Sequence, residues 1–403
     1  MAAATIESSF NVTGVSMRTI YAAGRLFTPI DEIRQPLLEV EDGRVVKISS
    51  REAEGTPSNA KFFDLGDAVV VPGFVDVHIH GGAGIDVMLA ARSDLPRLGE
   101  FLAKHGVTGY FPTTVGAPLD ATCSALERLA DAIEAATGAD ADSAQARPLG
   151  IHLEGPFLSH KRRGVHPPEN LVAPTLAIFD RLWQAARGHV RMLTIAPELP
   201  GAMEVIAEAA KRNVCVSIGH SDAELEIAQQ AVKAGAGHAT HTFNAMRPLD
   251  HRDPGIIAEV LTNDDLSADV IADGIHVAPE MVRLFLRAKG IERAVLITDA
   301  TAATGMPDGK YWLGPIEVEV KDGKCTKDGH LAGSVLTMDR AVRNITQFAN
   351  WSLKDAVRVA TLNPARAAGL PQHGVLAAGS EATFTVLNAT GDVLKTVVRG
   401  QSN

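Results

Sequence analysis

The sequence predicts an α/β protein: a (β/α)8 TIM-like barrel joined to a small β-sandwich built from both ends of the chain. Three observations lead there. Between about Val69 and Leu370, short apolar runs alternate with helical stretches, the pattern of parallel βα units. Eight such runs occur, and eight in sequence favour a closed barrel over an open sheet. Both ends, by contrast, are strand-rich and joined by tight turns.

At the N-terminal end, Leu37–Glu41 faces Arg44–Ile48 across Asp42-Gly43. That dipeptide tolerates the positive φ angles of a two-residue hairpin turn. The eight barrel strands are expected at Val69–His80, Val107–Thr114, Leu149–Glu154, Val190–Ala196, Val214–His220, Ala236–His241, Ser267–Asp273 and Ala294–Asp299. Helices are expected between them, for example over Ala121–Ala136 and Asp222–Ala234. Thr137–Arg147 is small, polar and acidic, and suits a solvated loop. Tyr311–His330 contains Asp322-Gly323 and Asp328-Gly329 and suggests a β-hairpin inserted after the eighth strand. At the C-terminal end, Thr383–Leu387 and Val393–Val398 flank a Gly391-Asp392 turn. The expected organisation is therefore 1–68 and 371–403 as the two parts of one sandwich, with the barrel over 69–370.

Composition narrows the function. The 403 residues carry 38 basic and 48 acidic side chains, a net charge of −10. That balance argues against nucleic acid as a partner but leaves room for an anionic substrate in a locally basic pocket. The cysteines Cys123, Cys215 and Cys325 are odd in number and form no CxxC pair, which points to a reducing compartment. Met1–Phe10 lacks a basic cluster before an apolar run, so it does not read as a secretory signal. No run approaches the roughly 18 apolar residues of a membrane helix. A cytoplasmic protein without membrane contact is expected.

In a barrel, function collects where the strands end. Here the first strand ends in His78-Ile79-His80, whose two imidazoles share a face because strand residues alternate. The third ends in Glu154, the fifth in His220, the sixth in His241 and the eighth in Asp299. A lone histidine at a strand end is most often a packed residue, and an HxH pair alone only evens the odds. Imidazoles and carboxylates gathered at one rim are a different matter: they are the donor set of a divalent metal. His152 shares the face of Glu154 but lies deeper, which suits packing. His105, His160, His189 and His330 suit structural or surface roles. Neither a G-x-S-x-G nucleophile elbow nor a GxxxxGK[ST] loop is present.

The segments His152-Leu-Glu-Gly-Pro-Phe157, Gly219-His-Ser221, His241-Thr-Phe-Asn-Ala-Met246, Asp273-Gly-Ile-His276 and Thr298-Asp-Ala300 occur in this order. Together with Val71-Pro-Gly-Phe-Val-Asp76, they resemble the N-acetylglucosamine-6-phosphate deacetylases of the amidohydrolase superfamily, over essentially the whole chain. HxH marks the superfamily, and the third- and sixth-strand motifs are far narrower. The resemblance implies hydrolysis of the acetamide of N-acetyl-D-glucosamine 6-phosphate to glucosamine 6-phosphate and acetate, in amino-sugar catabolism or recycling. It implies that Glu154, His220 and His241 hold the main metal and that Asp299 is the general acid and base. It matches Val165 and His166 to a substrate-contacting pair, the histidine polarising the acetyl carbonyl. Asn244 and Ala245 match the pair that binds the phosphate end, with Arg252 and His276 as further phosphate contacts. Leu331-Ala332-Gly333 matches a loop touching the substrate. A homodimer is implied, in which Arg252 reaches the neighbouring subunit's site.

Some members of that family lack histidines where this chain has His78 and His80. With both present, a second, weaker metal site bridged by Glu154 is expected. Zinc is the first expectation for the metal; iron, cobalt or manganese suit the same ligands. The chemistry is self-consistent. A divalent metal lowers the pKa of water from about 15.7 towards 7, and Asp299 can move the proton to the leaving amine. A cyclic amidohydrolase such as a dihydroorotase or hydantoinase is the competing enzyme reading. Those usually bridge their metals with a carboxylated lysine, and no lysine lies in any of the eight expected strands. A scaffold that has lost its chemistry would need a broken ligand set, and none is broken.

Overall fold

The computed structural model describes residues 18–28, 30–54, 60–137 and 144–402. Met1–Phe10 and most of the Thr137–Arg147 loop lie outside the described residues.

All eight barrel strands form: Phe74–Ile79, Val107–Pro112, Ile151–Glu154, Val190–Ile195, Cys215–Ile218, Ala236–Ala239, Ala268–Ile271 and Ala294–Ile297. Each pairs in parallel with the next or is stitched to it. The second strand reaches the third through the Thr113–His152 bridge. The sixth reaches the seventh through Ala239 N–H to Ser267 O, 3.0 Å. The barrel closes where Asp299 N–H donates to His78 O (2.9 Å) and His80 N–H donates to Ala300 O (2.8 Å). The strands are largely buried on both faces because one face fills the barrel and the other meets the helices. Leu119–Thr137 and Leu225–Ala234 are helices, as their apolar spacing predicts.

One strand differs from expectation. Val69–His80 is two strands, parted at Gly73. Phe74–Ile79 enters the barrel, whereas Val69–Pro72 pairs with Arg25–Phe27 and Phe384–Leu387 in a separate sheet. Apolar content marks both halves as buried strands but cannot say in which sheet.

The small β domain holds two sheets. One orders Arg44–Ser50, Pro36–Glu41, Thr19–Ala22 and Lys61–Asp64. The other orders Gln401–Ser402, Val393–Val398, Phe384–Leu387, Val69–Pro72, Arg25–Phe27 and Glu32–Arg34, and so unites both ends of the chain. Tyr21, Leu26, Leu38, Val70, Phe384 and Val397 form its core. The Asp42-Gly43 turn has φ of 50° and 71°, as a type I′ hairpin requires. The insertion after the eighth strand is a four-stranded antiparallel meander, Gly309–Leu313, Ile316–Lys321, Lys324–Lys327 and His330–Leu331.

Candidate metal centre and substrate cavity

His78 and His80 lie at the rim end of the first strand, and strand alternation alone brings their Nε2 atoms to 3.3 Å. Glu154 ends the third strand, whereas His220, His241 and Asp299 lie just beyond theirs, and the chain bends sharply to aim them. His220, His241 and Asp299 have φ of 47°, 32° and 52°, in the left-handed region that side chains disfavour. Each such residue costs about 1–3 kcal/mol, a strain typical of functional sites.

The side chains converge in two interlocked groups, all buried. Glu154 Oε1 lies 3.1 Å from His220 Nε2 and 3.0 Å from His241 Nε2. The two imidazole nitrogens are 3.1 Å apart. In the second group, His80 Nε2 is 3.1 Å from Asp299 Oδ1 and 3.4 Å from Glu154 Oε2, and His78 Nε2 is 3.5 Å from Asp299 Oδ1. Glu154 touches both groups.

Ring orientation is fixed from behind. His80 Nδ1 donates to Thr113 O (3.1 Å) and His220 Nδ1 donates to Arg162 O (2.9 Å), which leaves both Nε2 lone pairs facing the centre. His166 is oriented the other way. Gly116 N–H donates to its Nδ1 at 2.9 Å, so the proton sits on Nε2, 3.5 Å from Glu154 Oε2. Gly116 permits this close approach: a Cβ there would lie 3.0 Å from that nitrogen and crowd the ring.

The electrostatics suit a cation. Burial pushes Glu154 and Asp299 up, but the surrounding imidazoles outweigh it. Glu154 stays well below the usual range, and Asp299 falls to about 2. Burial likewise opposes charge on His80 and His241, yet hydrogen bonds to Asp299 and Glu154 raise His80 to about 10, and the hydrogen bond to Glu154 with nearby carboxylate charge raises His241 to about 9. Burial dominates at His220, which drops to about 4 despite Glu154. His220 and His241 move in opposite directions: burial outweighs Glu154 at the first, whereas carboxylate contacts and charges outweigh burial at the second. Protons thus stand where this donor set of imidazole nitrogens and carboxylate oxygens would hold a divalent ion, and the residues fit one.

Over the centre opens a cavity of about 140 Å3. Of the residues the sequence singled out, His80, Glu154, Val165, His166, His220, His241, Asn244, Ala245, His276, Asp299, Leu331 and Gly333 line it. His78 lies beneath, fully buried, as does Ala332. His276 is fixed by Asp273, whose Oδ2 lies 2.7 Å from Nδ1. Arg252 does not join: it is exposed on the loop after the sixth strand, outside the cavity of its own chain. His152 is fully buried, its ring 4.6 Å from that of His78 and its Nε2 2.7 Å from Thr194 Oγ1.

Val115, Gly164, Ile271 and Leu313 also line the cavity and were not anticipated. Val115 and Ile271 sit at strand ends, so the rim rule, extended from polar to apolar residues, would have found them. Leu313 is different. It is carried in by the inserted meander, anchored where Gly314 N–H donates to the buried Asp86 (2.8 Å), and nothing local in the sequence signals that reach.

The pattern of the amidohydrolase family matches residues 69–402. The chain belongs to that family. It is 34% identical to an N-acetylglucosamine-6-phosphate deacetylase of Bacillus subtilis (strain 168), over 93% of this chain and 94% of the relative. It is 35% identical to an N-acetylgalactosamine-6-phosphate deacetylase of Escherichia coli O157:H7, over 96% of this chain and 99% of the relative. Among solved structures, it is similar to a mutant N-acetyl-D-glucosamine-6-phosphate deacetylase from Mycobacterium smegmatis in complex with N-acetyl-D-glucosamine-6-phosphate. There the identity is 36%, the TM-score 0.89, and the coverage 96% of this chain and 99% of that one.

Proposed function

We propose that this amidohydrolase removes the acetyl group of N-acetyl-D-glucosamine 6-phosphate, giving D-glucosamine 6-phosphate and acetate. The observation that carries the reading is the convergence of Glu154, His220 and His241 beside a buried, ionised Asp299 under one cavity. The whole-length similarity to sugar-phosphate deacetylases supports the substrate class.

Glu154, His220 and His241 would hold the tighter divalent cation, and His78, His80 and Asp299 surround the position of a weaker one. When bound, such an ion polarises a carbonyl and makes water acidic near neutral pH. The chain's own residues do the rest. Asp299 takes the proton of the attacking water and returns it to the leaving nitrogen. His166 Nε2–H donates to the acetyl oxygen as negative charge grows there. Asn244, the Ala245 backbone and His276 receive the phosphate end, while Val165 and the Leu331–Gly333 turn press on the sugar. Zinc is the metal of choice for these ligands, with iron, cobalt or manganese as substitutes.

We assign a cytoplasmic homodimer. No helix among the described residues is long and apolar enough to cross a membrane. Arg252, exposed and idle in its own chain, is free to serve the partner's phosphate. We also assign 73–370 to the catalytic unit, and the described residues before it, Val69–Pro72 included, with 371–402 to the sandwich.

The test is elemental analysis of protein purified without chelator, plus acetate release from N-acetylglucosamine 6-phosphate, N-acetylgalactosamine 6-phosphate and N-acetylglucosamine. The first substrate should be the best. A higher kcat/KM on the galactosamine compound would favour the second reading, which the Escherichia coli relative motivates. Equal rates with and without phosphate would reject the proposed phosphate end.

A further inference from the structure

The histidines of the centre are not held alike. His80 and His220 are aimed by carbonyls on Nδ1. His241 Nδ1, like His78 Nδ1, is buried and has no hydrogen-bond partner among the described residues. Its ring is therefore located by its main chain, which leaves the strand at φ 32°.

That main chain sits at an interruption in the ladder between the sixth and seventh strands. Ala239 N–H donates to Ser267 O at 3.0 Å and Thr242 N–H donates to Asp269 O at 2.9 Å. Between them, Thr240 N–H turns to Ile218 O on the other side, 3.1 Å. His241 N–H is thus left without a carbonyl acceptor, and the Asp269 carboxylate takes it through Oδ1. Oδ2 of the same carboxylate accepts from His238 Nε2 at 2.9 Å, and His238 Nδ1 lies 2.7 Å from the Ser267 hydroxyl. Asp269 and His238 are both 0% exposed, and neither lines the cavity. An inaccessible carboxylate is costly unless its bonds are made. These bonds run to a ligand's backbone and to the side chain that braces it.

We propose that Asp269, braced by His238, is a positioning residue: it holds the strained backbone of His241 and so sets the affinity of the Glu154–His220–His241 centre for its cation. This rests on the metal reading above. Groups that orient ligands from behind typically change metal affinity by about 10–100-fold.

The experiment uses a His78→Ala/His80→Ala parent, so that a single centre is titrated. Metal-free parent and variants take up zinc against a chromophoric chelator, well below their melting temperatures. Asp269→Ala should weaken zinc binding by about 10–100-fold and alter the cobalt(II) absorption spectrum. Asp269→Asn, which keeps an oxygen for the His241 N–H, should recover most of the affinity. His238→Gln should fall between. A folded Asp269→Ala protein with parental zinc affinity and cobalt spectrum would overturn the proposal, even if its melting temperature dropped, since the pair would then be structural only. Should Asp269→Ala not fold, the other two variants decide, and parental affinity in both rejects the idea. Wild-type protein and parent that both bind no zinc refute the metal reading itself, and this inference with it.

Discussion

The two halves of the metal centre are built by different means. On the first strand, His78 and His80 stay in regular geometry and meet because strand residues alternate. Across the barrel, His220 and His241 stand beyond their strands, each in a left-handed conformation. The two histidines of the first half cost no backbone strain, which there falls on Asp299 alone, whereas both histidines of the second are strained and need outside support. Arg162 O supplies that support to His220 through its ring, and the Asp269 carboxylate supplies it to His241 through its main chain. Strain is tolerated where a ligand must point where no strand would send it. We propose that the half with two strained histidines, His220 and His241, holds the tighter metal.

The largest expected effect tests this asymmetry directly. Glu154→Ala, His220→Ala or His241→Ala should each strip the tight metal and take turnover to background, at least about 10³-fold down. Metal analysis beside the rate measurement checks it. A Glu154→Ala protein with full metal and undiminished rate would reverse the assignment of the halves.

Asp299→Asn comes next, with an expected fall in kcat of roughly 10²–10⁴-fold and little change in tight-site metal. It keeps the shape and removes the basicity. A loss under about tenfold at optimal pH would leave Asp299 without a proton-transfer role.

His78→Ala with His80→Ala should do less. If these imidazoles serve the weaker metal, activity should fall by about 10–100-fold, with one metal equivalent retained. Loss of all bound metal would erase the difference between the halves.

The smallest effect concerns the metal-free protein. Folding raises His80 from 6.5 to about 10 and His241 from 6.5 to about 9. A raised pKa contributes stability that is complete below the unfolded value and is lost as pH rises through the folded one. The melting temperature of metal-free protein should therefore decline from about pH 6.5 towards 9–10. Zinc-loaded protein should not follow, because the ion has displaced those protons. Parallel curves with and without metal would show that protons do not stand in for the cation.

The barrel was legible because its strands are continuous apolar runs in regular alternation with helices, and each expected run contains an observed strand. The convergent cluster of imidazoles and carboxylates was legible because the rim of a barrel is where strand-end polar residues gather. His78 and His80 needed nothing more than the two-residue period. The split of Val69–His80 was not legible, since an apolar run has the same composition in either sheet. Only pairing with Phe384–Leu387, more than 300 residues away, decides it.

The sequence by itself determined the fold class, the donor types and the order in which they arrive at the rim. These follow from local periodicity, which the chain carries in every segment. Tertiary structure alone decided the left-handed turns at His220, His241 and Asp299, the entry of Leu313 into the cavity and the Asp269–His238 brace. Each depends on which groups distant in sequence become neighbours, and burial then forces every polar atom there to find a partner.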